Sequence, residues 1–410
     1  MKLLATFFAF IVIGLAADKK AVSPPGVTPV GPYSPGVMVG DFLYVSGQGA
    51  PGPDGRMPDT LEGQVRQALN NVKAVVEAAG LTMEHVVYTH LYLTDMSTYE
   101  QADKVWAEFF PKAPPARAVV GVYKLPGGTP VEVNAVAFRD LVRKKVFTPA
   151  GFPAHPGVSP SVMAGQRFFF SSALGMDMAS GKVPTNPDEQ VQVAFDNLKR
   201  MLDAAGLDFR HVVMVNPYLT AGSSPAMNKI YASHFEFGNT PGRATIRVTS
   251  LPQGNTIAFT GVAIADLSKR LAVRPKNMAP SPTASPCVLA DDTLYCSAKS
   301  GFIPGPNEGI YSPTVEGQLR QTMRNLLDGL EEAGMNFSNV VATNVYLGDI
   351  DEFAKMNRVY AQYFTGVAPT RTTVAQTAPR EVAQPPANAN RLPNPDTFPG
   401  REQISLIAVK

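Results

Sequence analysis

The feature that most constrains the fold is an internal repeat. Ser34-Pro35, Ser159-Pro160 and Ser285-Pro286 open matching segments spaced 125 and 126 residues apart, and Arg117, Arg243 and Arg371 recur at intervals of 126 and 128. A period of this length is far beyond that of a solenoid unit, so each copy must be a small domain. A chain of 410 residues is in any case too long for one compact core. The copies are assigned to residues 22–140, 148–268 and 278–410, with 140–150 and 266–280 as linkers. With 45% apolar and 17% charged residues the chain reads as globular. A net charge of +2 gives no strong pull toward nucleic acid or an anionic membrane.

Within each copy the hydrophobic period switches in the same order. A hairpin comes first: VMVGDFLYVSGQ turns about Gly40-Asp41, VMAGQRFFFSSA about Gly165-Gln166, and CVLADDTLYC about Asp291-Asp292. An amphipathic helix follows, capped by Thr60 or Asp59 and ended by Gly80 in the first copy. Asn186 with Pro187 starts the second such helix and Ser312-Pro313 the third. Next come a strand, a second helix (Ser97-x-x-Glu100 reads as its capping box in copy 1), a strand led by the arginine, and a final strand. The order ββαβαββ predicts an α+β unit, one mixed sheet with two helices on one face. Strands such as VEVNAVAF and TIAFTGVAIA are apolar on both sides, so the second face must also be covered, most simply by the sheet of the next copy. Residues 379–401 insert a Pro- and Asn-rich loop into copy 3.

The chemistry is concentrated in residues 114–137, PPARAVVGVYKLPGGTPVEVNAVA. Arg117 enters one strand, a Leu-Pro-Gly-Gly turn follows, and Glu132 lies on the return strand, so the two are expected on adjacent strands of one site. A guanidinium captures a carboxylate through a planar fork, and a nearby carboxylate can orient or deprotonate water. An ordinary cross-strand ion pair would have the same spacing. The glutamate becomes Ala258 in copy 2 and Gln403 in copy 3, or Glu402 if the register shifts by one. No Gly-rich phosphate loop, Gly-x-Ser-x-Gly or Cys/His metal cluster occurs. His85 and His211 fall at matching positions and suggest a structural role, while His90, His155 and His234 lack a partner at ligand spacing. Cys287 and Cys296 face each other across the third hairpin as a non-hydrogen-bonded pair, which suits a disulfide or a pair of structural thiols better than a catalytic dithiol.

Gly31-Pro32-Tyr33-Ser34, Ser46-Gly47-Gln48, Asn71 and Gly80, Tyr99, Phe109-Phe110, Pro115-Ala116-Arg117, Leu125-Pro126 and Val131-Glu132-Val133 together resemble the RidA/YjgF family of enamine/imine deaminases, also labelled endoribonuclease L-PSP. The likeness runs through each copy. It implies chorismate-mutase-like domains, three of which would form an intramolecular pseudo-trimer around a central barrel, with ligand clefts between copies. It further implies hydrolysis of 2-imino acids to 2-keto acids and ammonia, with Arg117 clamping the substrate carboxylate, Glu132 as the catalytic residue that positions water, and Tyr33 and Ser46 shaping the cleft. Arg243 and Arg371 would be the corresponding ligand-binding residues of the other copies. No cofactor or metal is needed for such a reaction, because an imine carbon is already electrophilic. Copy 2 departs through Val158 for Tyr33, Ser172-Ala173 for Gly47-Gln48 and Ala258 for Glu132; copy 3 departs through Ala284 and Lys299. Asn228 and Asn357 match an asparagine of the family, whereas copy 1 has Asp103. On these departures no cleft is expected to be complete: Tyr33 would face Arg243 or Arg371, away from the cleft of Arg117 and Glu132.

Residues 1–16 form a secretory signal pattern, with Lys2, an apolar run from Leu3 to Leu15, and Gly14-Leu15-Ala16 before the cleavage point; an uncleaved anchor is the alternative. The resulting expectation is an exported, periplasmic or extracellular protein, monomeric, acting on a small carboxylate (imino acid) ligand, with no nucleic-acid partner and no membrane contact after cleavage. A binding or scaffold protein with degenerate clefts is the rival. An endoribonuclease fits poorly with the small charge and the absence of paired acid/base histidines.

Overall fold

The computed structural model of the protein describes residues 18–29, 31–276, 278–304, 309–378 and 398–410. The signal pattern and most of the 379–401 insertion lie outside the described residues. The first repeat comprises β1 (Lys20–Val22), β2 (Gly36–Val39), β3 (Phe42–Gly49), α1 (Leu61–Ala78), β4 (Val86–Leu93), α2 (Tyr99–Phe109), β5 (Ala116–Gly121) and β6 (Val131–Phe138). The second comprises β7 (Lys144–Phe147), β8 (Ser161–Ala164), β9 (Arg167–Leu174), α3 (Pro187–Ala204), β10 (Val212–Leu219), α4 (Met227–Ala232), β11 (Gly242–Arg243), β12 (Ile246–Arg247) and β13 (Ile257–Ile264). The third comprises β14 (Arg270–Val273), β15 (Cys287–Ala290), β16 (Thr293–Ser300), α5 (Val315–Glu332), β17 (Val340–Leu347), α6 (Phe353–Tyr360), β18 (Thr370–Ala375) and β19 (Glu402–Val409).

Local chemistry explains most boundaries. The three hairpins turn where expected, pairing Val39 with Phe42, Ala164 with Arg167, and Ala290 with Thr293. Gly40, Gly165 and Asp291 take positive φ there, as two-residue hairpin turns require. Thr60, Asn186 and Thr314 cap the long helices through their side-chain oxygens. The second helix of repeat 1 begins differently from the expected capping box: Asp95 accepts from the Ser97 amide in a 3₁₀ turn, and α2 starts only at Tyr99. His85 and His211 accept backbone N–H bonds through Nδ1 at the turns before β4 and β10.

Two features of the sheets correct the sequence reading. Segments assigned to linkers hold edge strands: β7 pairs β8 and β14 pairs β15, as β1 pairs β2 in repeat 1. The sheets therefore begin at residues 20, 144 and 270 instead of 22, 148 and 278. These strands have one neighbour and bury little, so their apolar alternation is faint. Second, the sheet order is β1-β2-β3-β6-β4-β5, repeated in the other two copies. Arg117 on β5 and Glu132 on β6 are thus separated by β4, to which β5 pairs in parallel and β6 antiparallel. A turn that links two strands does not make them neighbours when one of them crosses over.

The helices of each repeat bury the apolar face of its own sheet, giving three separate cores. The other sheet faces meet one another in a fourth core containing Tyr44, Tyr88, Phe169, Tyr218, Tyr295 and Tyr346 from all three repeats. That arrangement makes a pseudo-threefold barrel, with a cavity of about 80 Å³ lined in part by His90, Asn134, Asn216 and Thr372. The ring closes because the arginine strand of each repeat packs against the long hairpin strand of the next: β5 on β9, β11 on β16, and β18 on β3. Cys287 lies opposite Cys296, and the two are joined, with Cα atoms 4.0 Å apart.

Candidate functional site: three inter-repeat clefts

Each seam between repeats is built by the same serine pair. Ser46 Oγ donates to the Ser34 carbonyl at 2.7 Å and accepts from the Arg371 backbone N–H at 2.9 Å. Ser171 does the same with Ser159 and Arg117 (2.7 and 2.8 Å), and Ser297 with Ser285 and Arg243 (2.6 and 2.8 Å). A hydroxyl is suited to this because it donates and accepts at once. The result is that every arginine stands at the rim of its own sheet and faces side chains supplied by the following repeat.

The seam of repeats 3 and 1 brings four expected site residues together. Arg371 is buried, its Nη1 donating to Asn357 Oδ1 at 2.6 Å. Its guanidinium lies 5.0, 5.2 and 5.1 Å from the rings of Tyr33, Phe353 and Tyr360, a cation–π cage that holds the fork in plane. Burial lowers its pKa, against the opposing pull of Tyr360, Tyr33 and Glu132. From repeat 1 come Ser46, Tyr33 and Glu132. Burial pushes the Glu132 carboxyl up to about 8, only partly offset by Arg371 and by the Thr373 N–H that it accepts. Its Oε1 has no hydrogen-bond partner among the described residues. Gly47 makes the room, since a Cβ at that position would fall on the Glu132 carboxylate. The cleft therefore holds one buried guanidinium beside a carboxyl group that keeps its proton to higher pH than an ordinary carboxylate. Its uncompensated positive charge suits a monoanion.

Glu132 belongs with Arg371, and the expected pairing with Arg117 is corrected by the sheet order. The expectation that Tyr33 lies apart from Glu132 falls with it, because Tyr33 and Glu132 both face Arg371. Asn357, Phe353 and Thr373 complete this cleft. Asn357 was legible as a family match, but the other two carry no sequence signal beyond their distance from Arg371.

The remaining clefts differ in chemistry. Arg117 faces repeat 2, donating from Nη2 to Asp103 at 2.6 Å and to Tyr99 Oη at 3.2 Å, with Trp106 4.8 Å beneath it. Ala258 occupies the register position of Glu132, and Ser172 that of Gly47. His155, which had no partner by sequence spacing, lies 3.3 Å from Asp103 because the contact forms across the seam. Arg243 faces repeat 3, bonding Asn228 at 2.7 Å and Thr245 at 2.7 Å over the Tyr231 ring. Here Gln403 takes the place of Glu132, pairing with Ser300 and Tyr346 as Glu132 pairs with Gly49 and Tyr92. Glu402 instead turns into the helix–sheet core and accepts from the Thr322 hydroxyl, which resolves the one-residue ambiguity of register. Among the described residues no cluster of His, Cys, Asp and Glu could hold a metal, and no helix is long and apolar enough to cross a membrane.

Comparison with known proteins is consistent across the three repeats. A model of the family described as Endoribonuclease L-PSP matches residues 25–139, 152–265 and 276–382. A 2-iminobutanoate/2-iminopropanoate deaminase of Dermatophagoides farinae is 37% identical over 125 residues, covering 29% of this chain and 96% of that protein. A RutC family protein of Pyrococcus horikoshii is 36% identical over 114 residues, covering 27% of this chain and 90% of its own length. Among solved structures, the YjgF protein of E. coli is 34% identical and covers 30% of this chain and 99% of its own, with a TM-score of 0.29.

Proposed function

The chain belongs to the Endoribonuclease L-PSP (RidA/YjgF) family, three copies in tandem, and from that premise we propose that it hydrolyses 2-imino acids to 2-keto acids and ammonia at the single cleft between repeats 3 and 1. The observation that carries the reading is the meeting of Arg371, Tyr33 and Ser46 with a Glu132 carboxyl whose pKa lies at about 8.

The chemistry follows from these groups. The substrate carboxylate pairs with the Arg371 guanidinium, which the ring cage and Asn357 hold in place. Protonated Glu132 gives its proton to the imine nitrogen, making C2 more electrophilic. The resulting carboxylate takes a proton from a water molecule as its oxygen bonds to C2, giving a carbinolamine. Glu132 then returns that proton to the amine, the C–N bond breaks, and the remaining hydroxyl proton leaves as the C2 carbonyl forms. One water is consumed, one ammonia is released, and Glu132 ends as it began once solvent restores its proton. A group with a pKa near neutrality is suited to both roles. As part of this reading the protein acts as a monomer outside the cytoplasm, in keeping with the signal pattern of residues 1–16.

The reading is tested by supplying an imino acid generated in place by an amino-acid oxidase and following keto-acid release. Glu132→Gln and Arg371→Ala are each expected to lose at least 100-fold in kcat/KM, a loss at least tenfold greater than that of Arg117→Ala. Wild-type protein no faster than buffer, or a greater loss from Arg117→Ala than from Arg371→Ala, would sink it.

A further inference from the structure

The cavity on the barrel axis takes no part in the proposed reaction. His90, Asn216 and Asn344 stand at matching positions on β4, β10 and β17, and all three line it together with Thr372 of β18. His90, Asn216 and Thr372 are each less than one-tenth exposed. Among the described residues no Asp, Glu, Lys or Arg lines the cavity, and burial pushes the His90 imidazole down to about 4. The walls are therefore neutral at neutral pH, and an ion would enter without a counter-charge.

The hydrogen bonds of these groups do not close within the fold. The His90 backbone N–H donates to Asn134 Oδ1 at 3.0 Å, and His90 Nδ1 lies 3.1 Å from the same oxygen. An amide oxygen only accepts, so Nδ1 carries the imidazole proton and Nε2 is an acceptor. Tyr88 Oη lies 3.3 Å from Nε2. Its one proton goes to Thr260 Oγ1 at 2.9 Å, because the Thr260 hydroxyl already donates to the Phe170 carbonyl at 2.6 Å. Asn216 Oδ1 is buried and has no partner among the described residues. Thr372 Oγ1 accepts from Asn134 Nδ2 at 2.9 Å, and its own proton finds no acceptor among the described residues. The cavity thus presents two acceptors short of a donor and one donor short of an acceptor, a state that a bound molecule relieves. Its volume of about 80 Å³ exceeds the roughly 10–15 Å³ that one water requires. Phe169, Met214, Val262 and Ile407 add apolar wall, against which a carbon group packs better than water. We propose that the barrel cavity binds a small neutral carboxamide, its N–H groups on His90 Nε2 and Asn216 Oδ1 and its carbonyl oxygen on the Thr372 hydroxyl.

The test titrates acetamide into the full-length protein and follows the His90 Nε2 resonance by nitrogen NMR, identified by its loss in His90→Gln. A saturable shift is expected, with half-saturation at about 1–10 mM, the range open to so small a ligand. Acetone, of similar size but without N–H groups, and acetate, which is charged, are each expected to bind roughly tenfold more weakly. Thr372→Val keeps the shape and removes the hydroxyl, and is expected to weaken acetamide roughly fivefold or more. No saturable shift, which is the result if water alone fills the cavity, would overturn the proposal. Equal binding of acetone, which needs no variant to measure, or an unchanged acetamide affinity in Thr372→Val would overturn it too. The readout does not depend on keto-acid release, so failure of the deaminase reading leaves it intact, and the reverse holds too.

Discussion

At the scale of the residue, Glu132 and Glu402 show how burial sets the chemistry of a carboxyl group. Both are nearly inaccessible and both are pushed up to about 8 by desolvation. A carboxyl whose pKa is higher when folded binds its proton more tightly in the native state. Its stability contribution is complete below about 4.5, the ordinary value, and is lost as pH rises through about 8. Glu402→Gln removes that titration and keeps an acceptor for Thr322. Its stability relative to wild type, read from urea midpoints, is expected to improve between pH 5 and pH 9 by on the order of a few kcal/mol. A difference independent of pH would contradict the raised pKa. In the proposed reaction the acid form of Glu132 begins the sequence, so kcat/KM for keto-acid release is expected to fall as pH rises through about 8. A rise over that range would show that the carboxylate is the starting form. Sequence offered Glu132 as a candidate by residue type and family match, but its burial, and the Arg371 and Thr373 contacts that oppose the upward shift, arise from segments far away along the chain.

At the scale of the element, the seam serines determine whether a cleft exists at all. Removing Ser46 Oγ leaves the Arg371 N–H and the Ser34 carbonyl without their shared partner inside the fold, which costs about 1–3 kcal/mol. Ser171→Ala is expected to cost a similar amount at its own seam, whereas keto-acid release is expected to suffer only from Ser46→Ala. Equal losses of activity from both would place the chemistry elsewhere. Gly47→Ala sets a Cβ against the Glu132 carboxylate and is expected to abolish turnover with little change in melting temperature. The hairpins, the long helices and the caps of the first two were legible because each is specified within a few residues, whereas the third helix begins at Val315 behind a Thr314 cap, past the expected Ser312-Pro313 start. Strand order was not. The crossover that makes β5 parallel to β4 is decided by how the helix packs on the sheet, and the turn at Leu125-Pro126 gives no sign of it. The edge strands were hidden for a related reason, since a stretch such as Lys144–Phe147 buries too little to show a period.

At the scale of the whole molecule, the three repeats close a ring and then diverge. A repeat of 126 residues with apolar sheet faces demanded a partner for each sheet, and the barrel core supplies it from within one chain. Sedimentation is accordingly expected to give the mass of a single chain, and a stable homotrimer of whole chains would argue against an intramolecular ring. The direction of closure could not be read from the order of repeats, and it decides which arginine Glu132 meets. With β18 of repeat 3 against β3 of repeat 1, the one retained glutamate meets the one arginine that also has the tyrosine. The most direct test of that meeting is a double-mutant cycle on keto-acid release with Glu132→Gln and Arg371→Ala. Residues of one site are strongly non-additive, so the double variant is predicted to lose no more than about tenfold beyond the worse single variant. Two losses that multiply in full would contradict a shared cleft.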